Sequence, residues 1–292
     1  MTLPNHIAVI GAGQMGGGIA QVAAVAGFTV TVFDAFPGAI EKCQGVHKKS
    51  LAKFVEKGKL SQPDMDAALA RIRFVSSLDA LPKDADWVIE AVVEDSKIKR
   101  DLFSKLAAIY PKDDVVLATN TSSISITEIA AAAGPGGSAA SRVVGMHFFN
   151  PVPLMQLVEV IPAAQTRPDV TERTIKLSER LGKTPLKAND RAGFISNRVL
   201  MPMINEAFYA WMEGVAEPDA IDGIMKLGCN FPMGPLRLAD FIGLDTCAHI
   251  MNVLADGLNN DRYRPCPLLR QLVTAGRLGD KSGRGVFEYP KK

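Results

Sequence analysis

The hexapeptide Gly11-Ala12-Gly13-Gln14-Met15-Gly16 constrains the fold more than any other stretch of this chain. It follows a short apolar run at residues 6–10. It opens a segment, residues 14–26, whose apolar side chains recur with helical rather than alternating spacing. Gly27 is a natural helix stop, and the TVTVF run at residues 29–33 reads as a second strand. Strand, glycine turn, helix and strand in that order make a β-α-β unit, which implies a parallel sheet with helices packed on its faces. Glycines at these positions let the turn close tightly and bring the backbone against a pyrophosphate. The pyrophosphate charge then faces the unpaired N–H groups of the helix start. Asp34 ends the second strand, where a carboxylate can accept hydrogen bonds from both hydroxyls of an adenosine ribose and repels a 2′-phosphate. The glycine pattern alone is weak, but in this order it points to NAD rather than NADP, held by Gly11, Gly13, Gln14, Met15, Gly16 and Asp34.

Further strands are expected over residues 71–75, 86–91, 115–119, 142–147 and 155–161, with a helix over 97–109. Residues 36–81 are polar, lysine-rich and helical in composition, more than one crossover needs, so they read as two helices projecting from the sheet. Beyond residue 187 the character changes to helical runs over 194–211, 218–227, 238–254 and 268–275, broken by Gly and Pro. The expected fold class is α/β: a Rossmann-type, doubly wound, mainly parallel sheet over residues 1–188 with a helical arm at about 36–81. An all-α domain over residues 189–292 completes it. A chain of 292 residues has the length for both cores.

Composition narrows the function by exclusion. Lysine and arginine total 33 against 31 for aspartate and glutamate, a net charge of +2, so no overall field favours nucleic acid or an anionic membrane. The 4 cysteines, Cys43, Cys229, Cys247 and Cys266, show no CxxC spacing, which suits reduced thiols better than zinc ligands or disulfides, and no metal is expected. MTLPNHIAVI lacks a charged region followed by a long apolar one, and no apolar run approaches the roughly 20 residues of a membrane span. A cytoplasmic protein is expected.

A dinucleotide site makes hydride transfer the leading chemistry, and the accompanying proton needs a carrier. In HFFNPVPLMQLVEV, residues 147–160, His147 ends a strand, where ligands bind in doubly wound sheets, and a neutral imidazole accepts a proton near neutral pH. Glu159 lies on the next strand. A turn through Pro151 and Pro153 can bring its carboxylate to the second ring nitrogen, fixing the tautomer and stabilising the imidazolium as it forms. The competing reading is a packed structural histidine beside a solvated strand residue.

The strings VIGAGQMGGGIAQ, ATNTSSISITEIA, GMHFFNPVPLMQLVEVI, GFISNRVLMPMINEA, FPMGPLRLADFIGLDT and LGDKSGRGVFEY, in that order, cover essentially the whole chain. Together they resemble the L-3-hydroxyacyl-CoA dehydrogenases, above all their bacterial 3-hydroxybutyryl-CoA members. The resemblance implies an NAD-dependent enzyme that interconverts an (S)-3-hydroxyacyl-CoA and the 3-ketoacyl-CoA, and a homodimer formed through the helical domain. It implies that His147 is the catalytic base, that Glu159 orients it, that Ser122 bonds the reacting oxygen near the cofactor, and that Asn197 positions the acyl-thioester. It further implies cofactor contacts from Glu94 and Lys99 of VEDSKIK, from Asn150 and from Lys281 of GDKSG. HKKSLAKFVEKGK takes the place of the family's helical arm over which coenzyme A lies. Ser50, Lys53 and Lys57 recur there on roughly one helix face, where ammonium groups can meet phosphates.

One departure is visible. AAAGPGGSAASR, residues 131–142, is longer and richer in Gly and Ala than the family's loop, so a surface insertion is expected. Two other functions stay open at this stage: a dehydrogenase of a free hydroxy acid, for which the lysine arm would have no task, and a dinucleotide-binding protein without turnover.

Overall fold

The computed structural model of the protein describes residues 5–134, 137 and 139–290. The chain divides into two compact units, residues 1–190 and 191–292.

The first unit begins with the β-α-β element. Strand β1 (His6–Ile10) leads through the glycine turn into helix α1 (Gln14–Val25), and β2 (Thr29–Phe33) returns beside β1 in parallel. Helices α2 (Pro37–Glu56) and α3 (Gln62–Ala70) follow, each opened by a proline in its first turn, where no backbone N–H is needed. Next come β3 (Ile72–Val75), β4 (Trp87–Glu90), α4 (Ser96–Ile109), β5 (Val116–Thr119), α5 (Ile126–Ala133), β6 (Val143–Phe148), β7 (Leu157–Pro162), α6 (Pro168–Arg180) and β8 (Thr184–Lys187). The sheet order is β3-β2-β1-β4-β5-β6-β7-β8. Pairing is parallel throughout except between β6 and β7. Strands β4, β5 and β6 are buried along their whole length, as expected of parallel strands covered on both faces. Order reverses at β1 and β4, and the loops at the carboxyl ends of β1, β4 and β5 face one edge, the usual ligand crevice of such sheets.

The second unit is helical: α7 (Ser196–Met212), α8 (Pro218–Gly228), α9 (Pro235–Ile242), α10 (Leu244–Gly257) and α11 (Pro267–Thr274). Phe208, Leu236, Leu244, Met251 and Leu269 are fully buried in its core. No single helix among the described residues is long and apolar enough to cross a membrane. The α9–α10 pair passes that test by composition but is bent by 97°.

Several sequence expectations need correction. The expected helix over 238–254 is two helices, because Gly243 adopts φ 104° between them, a conformation that a continuing helix excludes. Helices α5 and α6 and strand β8 were not anticipated. The α6 segment PDVTERTIKLSER is mostly polar, and β8 is a short, largely exposed TPLK edge. The segment 131–142 is not wholly a surface insertion: Ala133 ends α5, and Ala140 and Arg142 are buried. The Arg142 guanidinium donates to the backbone oxygens of Val115 (2.9 Å) and Tyr110. Residues 135, 136 and 138 of that loop, and 1–4 and 291–292 at the termini, lie outside the described residues.

Candidate active site

The three glycines of the turn have different jobs. Gly11 adopts φ 109°, and a Cβ there would stand 2.6 Å from the Ala91 oxygen after β4. A Cβ on Gly16 would collide with the Gly11 carbonyl, so both glycines are required by packing. Gly13 is different: a Cβ would meet nothing within 4 Å, so packing against protein does not require a glycine there. Gly13 caps α1 without a side-chain bond, and the first turn carries no acid, which leaves backbone N–H donors at the helix start. Asp34, after β2, accepts from Ala12 N at 2.8 Å and Phe36 N at 2.9 Å, so it braces the turn at the edge where a ribose would lie. These residues fit a dinucleotide.

Beside this turn lies a cleft of about 810 Å³, bounded by Gly13 and Gln14, by the α2 face and by the loop from Asn150 to Leu154. Ser50, Lys53 and Lys57 all line it. Lys42 and Lys59 do too, cations that the sequence reading did not single out. Met15 faces the other way and packs against the core of the first unit.

Antiparallel pairing of β6 and β7 sets His147 directly opposite Glu159. Paired residues share a sheet face. His147 Nδ1 and Glu159 Oε2 are 2.7 Å apart, with the two residues 7% and 3% exposed. The Phe149 ring packs against the imidazole with centroids 4.6 Å apart, and Asn120 Oδ1 accepts from Phe148 N at 2.8 Å, tying the loop after β5 to β6.

That loop also carries Ser122, which is not the N-cap of α5. Ser125 fills the cap position, accepting from Glu128 N, and Asp190 accepts from Ser125 Oγ (2.9 Å) and Thr127 N (2.8 Å). Glu94 organises the serines: its Oε1 accepts from Thr121 Oγ1 (2.6 Å), Ser122 N (2.8 Å), Ser123 N (3.0 Å), Ser123 Oγ (2.9 Å) and Ser122 Oγ (3.2 Å). Burial alone would push the Glu94 carboxyl upward. Together the Lys99 charge and these hydrogen bonds outweigh burial and hold it below its ordinary range.

Lys99 has no exposed surface, and its ammonium sits 2.6 Å from Glu90 Oε1 and 3.5 Å from Glu94 Oε2. The sequence reading passed over Glu90, although a charged residue at the end of the apolar strand WVIE is itself the signal. In the second unit, Asn197 lies buried in the first turn of α7, and Lys281 is exposed and paired with Asp245 at 2.6 Å.

A glycine turn with open space at its second glycine, an acid after β2 and a strand-end histidine held by a carboxylate place the protein in the class of Rossmann-type NAD-binding oxidoreductases. Comparison with known proteins narrows that class. The family description 3-hydroxyacyl-CoA dehydrogenase, NAD binding domain, matches residues 6–191, and 3-hydroxyacyl-CoA dehydrogenase, C-terminal domain, matches residues 193–289. The chain belongs to the 3-hydroxyacyl-CoA dehydrogenase family. It is 47% identical to the 3-hydroxybutyryl-CoA dehydrogenase of Bradyrhizobium diazoefficiens over 98% of this chain and 95% of that one. With the 3-hydroxybutyryl-CoA dehydrogenase of Clostridioides difficile it shares 44% identity over 98% and 99% of the two chains. The solved structure of (S)-3-hydroxybutyryl-CoA dehydrogenase from Ralstonia eutropha matches with a TM-score of 0.93 and 45% identity, over 99% of this chain and 100% of that one.

Proposed function

We propose that this protein is an NAD-dependent dehydrogenase interconverting (S)-3-hydroxybutyryl-CoA and acetoacetyl-CoA. The observation that carries the reading is the His147–Glu159 pair at 2.7 Å on β6 and β7, in the same unit as the glycine turn. NAD held at the glycine turn and Asp34 would supply the two-electron chemistry as a hydride donor and acceptor. His147 handles the proton: its Nε2 takes the 3-hydroxyl proton in oxidation and returns it to the ketone oxygen in reduction. Glu159 fixes the Nδ1–H tautomer and offsets the positive ring, so the imidazole need not reorient between directions. Ser122 Oγ bonds the reacting oxygen, and Glu94, held as a carboxylate, orients the loop that presents it. Gly11, Gly13, Gln14, Gly16 and Asp34 hold the pyrophosphate and adenosine ribose, with Asn150 and Lys281 as further cofactor contacts. Asn197 positions the thioester.

The lysine-lined cleft supports a coenzyme A thioester over a free hydroxy acid. Its cations, Lys53 and Lys57 among them, can pair with phosphates that a free acid lacks. We place the enzyme in the cytoplasm and read it as a homodimer joined through the helical unit; the exposed apolar side chains Val215, Ile224 and Leu227 of that unit support the dimer. The test is NADH absorbance on mixing the protein with acetoacetyl-CoA. Steady decay is expected, stronger with NADH than with NADPH, and slower with free acetoacetate. Absence of decay with the thioester would refute the enzyme.

A further inference from the structure

Glu90 has no task in the scheme above, yet it is among the most deeply placed charges in the first unit. It closes β4 with no exposure. Taking a carboxylate out of water costs several kcal/mol unless its oxygens are occupied. They are occupied: Oε1 accepts from Val92 N and Lys99 Nζ, each at 2.6 Å, and Oε2 accepts from Thr119 Oγ1 at 2.6 Å. An apolar residue would fill the same place in an otherwise apolar strand, so packing alone does not account for the group. Lys99 is equally buried, and it is the bridge: one ammonium stands between Glu90 at 2.6 Å and Glu94 at 3.5 Å. Counted formally, two carboxylates against one ammonium leave the three residues with a charge of about −1.

We propose that Glu90 is a positioning residue which, through Lys99, aims Glu94 at the serine loop, and that the net negative charge of the three favours the oxidised over the reduced nicotinamide. The inference rests on the proposed cofactor site. With pyrophosphate at Gly13 and the adenosine ribose at Asp34 beyond β2, the other half of the dinucleotide runs the opposite way, over the carboxyl ends of β4 and β5. Glu94 follows β4, and Ser122 follows β5. The oxidised ring is positively charged and the reduced ring is not, so a fixed anion on that side distinguishes them. One unit charge on that side of a partly desolvated site is expected to shift the preference by about tenfold.

The test is binding rather than turnover. The Kd values for NAD+ and NADH are measured by titration calorimetry on the whole protein, for wild type, Glu90→Gln, Glu90→Asp and Glu94→Gln, with thermal melting as the folding check. Glutamine keeps the size of Glu90 and removes the charge. Its oxygen can still accept from Val92 N and Lys99 Nζ, while its amide donates, so the Thr119 hydroxyl must turn from donor to acceptor. The ratio of Kd for NAD+ to Kd for NADH is expected to rise about tenfold in Glu90→Gln. Glu90→Asp restores the charge and should return the ratio to wild type even if both Kd values weaken. Glu94→Gln removes the same charge from the solvent-facing end, so it reads the ratio if Glu90→Gln does not fold, with the same rise expected. An equal change in both Kd values, or none, marks Glu90 as structural and overturns the proposal. Failure of the wild type to bind either form overturns the cofactor reading beneath it.

Discussion

His147 and Glu159 meet because antiparallel pairing puts them opposite each other, and register on a two-residue pleat leaves no intermediate choice. The two should nevertheless fail differently. His147→Gln removes the proton carrier and should lower kcat for acetoacetyl-CoA reduction on the order of 10²-fold. Glu159→Gln keeps an acceptor for Nδ1–H and should cost less. Both should bind NADH within about twofold of wild type, because the glycine turn and Asp34 lie on other strands. Near-normal turnover by a folded His147→Gln protein would remove the histidine from the chemistry. Glu94 gives a second prediction, in stability. Its carboxyl is held below the ordinary value of 4.5 in the folded protein, because the Lys99 charge and the serine-loop hydrogen bonds outweigh the opposing effect of burial. Its contribution is therefore fully present above that value and is lost as pH falls through the lower, folded one. The melting temperature of wild type should exceed that of Glu94→Gln by about 2–4 °C near pH 7, and the gap should close toward pH 3. A gap independent of pH would contradict this account.

At the scale of elements, the turn between β1 and α1 separates glycines needed for folding from one kept for a ligand. Gly13→Ala adds a Cβ into open space at an ordinary φ of −68° and should leave the melting temperature almost unchanged. The same methyl group stands where a pyrophosphate would approach, so Kd for NADH should rise by about tenfold or more. Gly16→Ala drives a Cβ into the Gly11 carbonyl and should destabilise the unit by about 2 kcal/mol or prevent its folding. Equal stability of the two variants would break this division. Elements of this kind were legible in the sequence because local chemistry sets them: a glycine turn, an apolar strand, an acid at a strand end. The His147–Glu159 pair was legible for the same reason, since one hairpin joins the two strands. What escaped depends on tertiary context. Helix α6 exposes so polar a sequence that its buried stripe, Val170, Thr174 and Leu177, does not stand out. The corner between α9 and α10 turns on the backbone angle of Gly243. The Glu90–Lys99 pair needs β4 and α4 brought together, and no motif marks its spacing.

At the scale of the whole molecule, each unit closes its own core, so apolar side chains left outside the second one call for a partner. Leu227 is 90% exposed, Val215 73% and Ile224 63%, and Ile224 and Leu227 stand three residues apart on α8, on one helix face. Neither packs into the core formed by Phe208, Leu236, Leu244 and Met251. Burying such a side chain contributes about 2 kcal/mol, and a two-fold interface uses each twice, so the α8 face alone would supply a substantial part of the affinity of the proposed homodimer. A carboxylate placed at a buried interface would cost its desolvation. Leu227→Glu should therefore convert the proposed dimer to monomer at micromolar concentration, read by sedimentation velocity, while circular dichroism and the melting temperature at high dilution stay close to wild type. The proposed pyrophosphate and ribose contacts, Gly13 and Asp34, lie in the other unit, so the Kd for NADH should change by less than about twofold. A Leu227→Glu protein that remains dimeric would move the interface away from α8, and a monomeric wild type would discard the homodimer altogether.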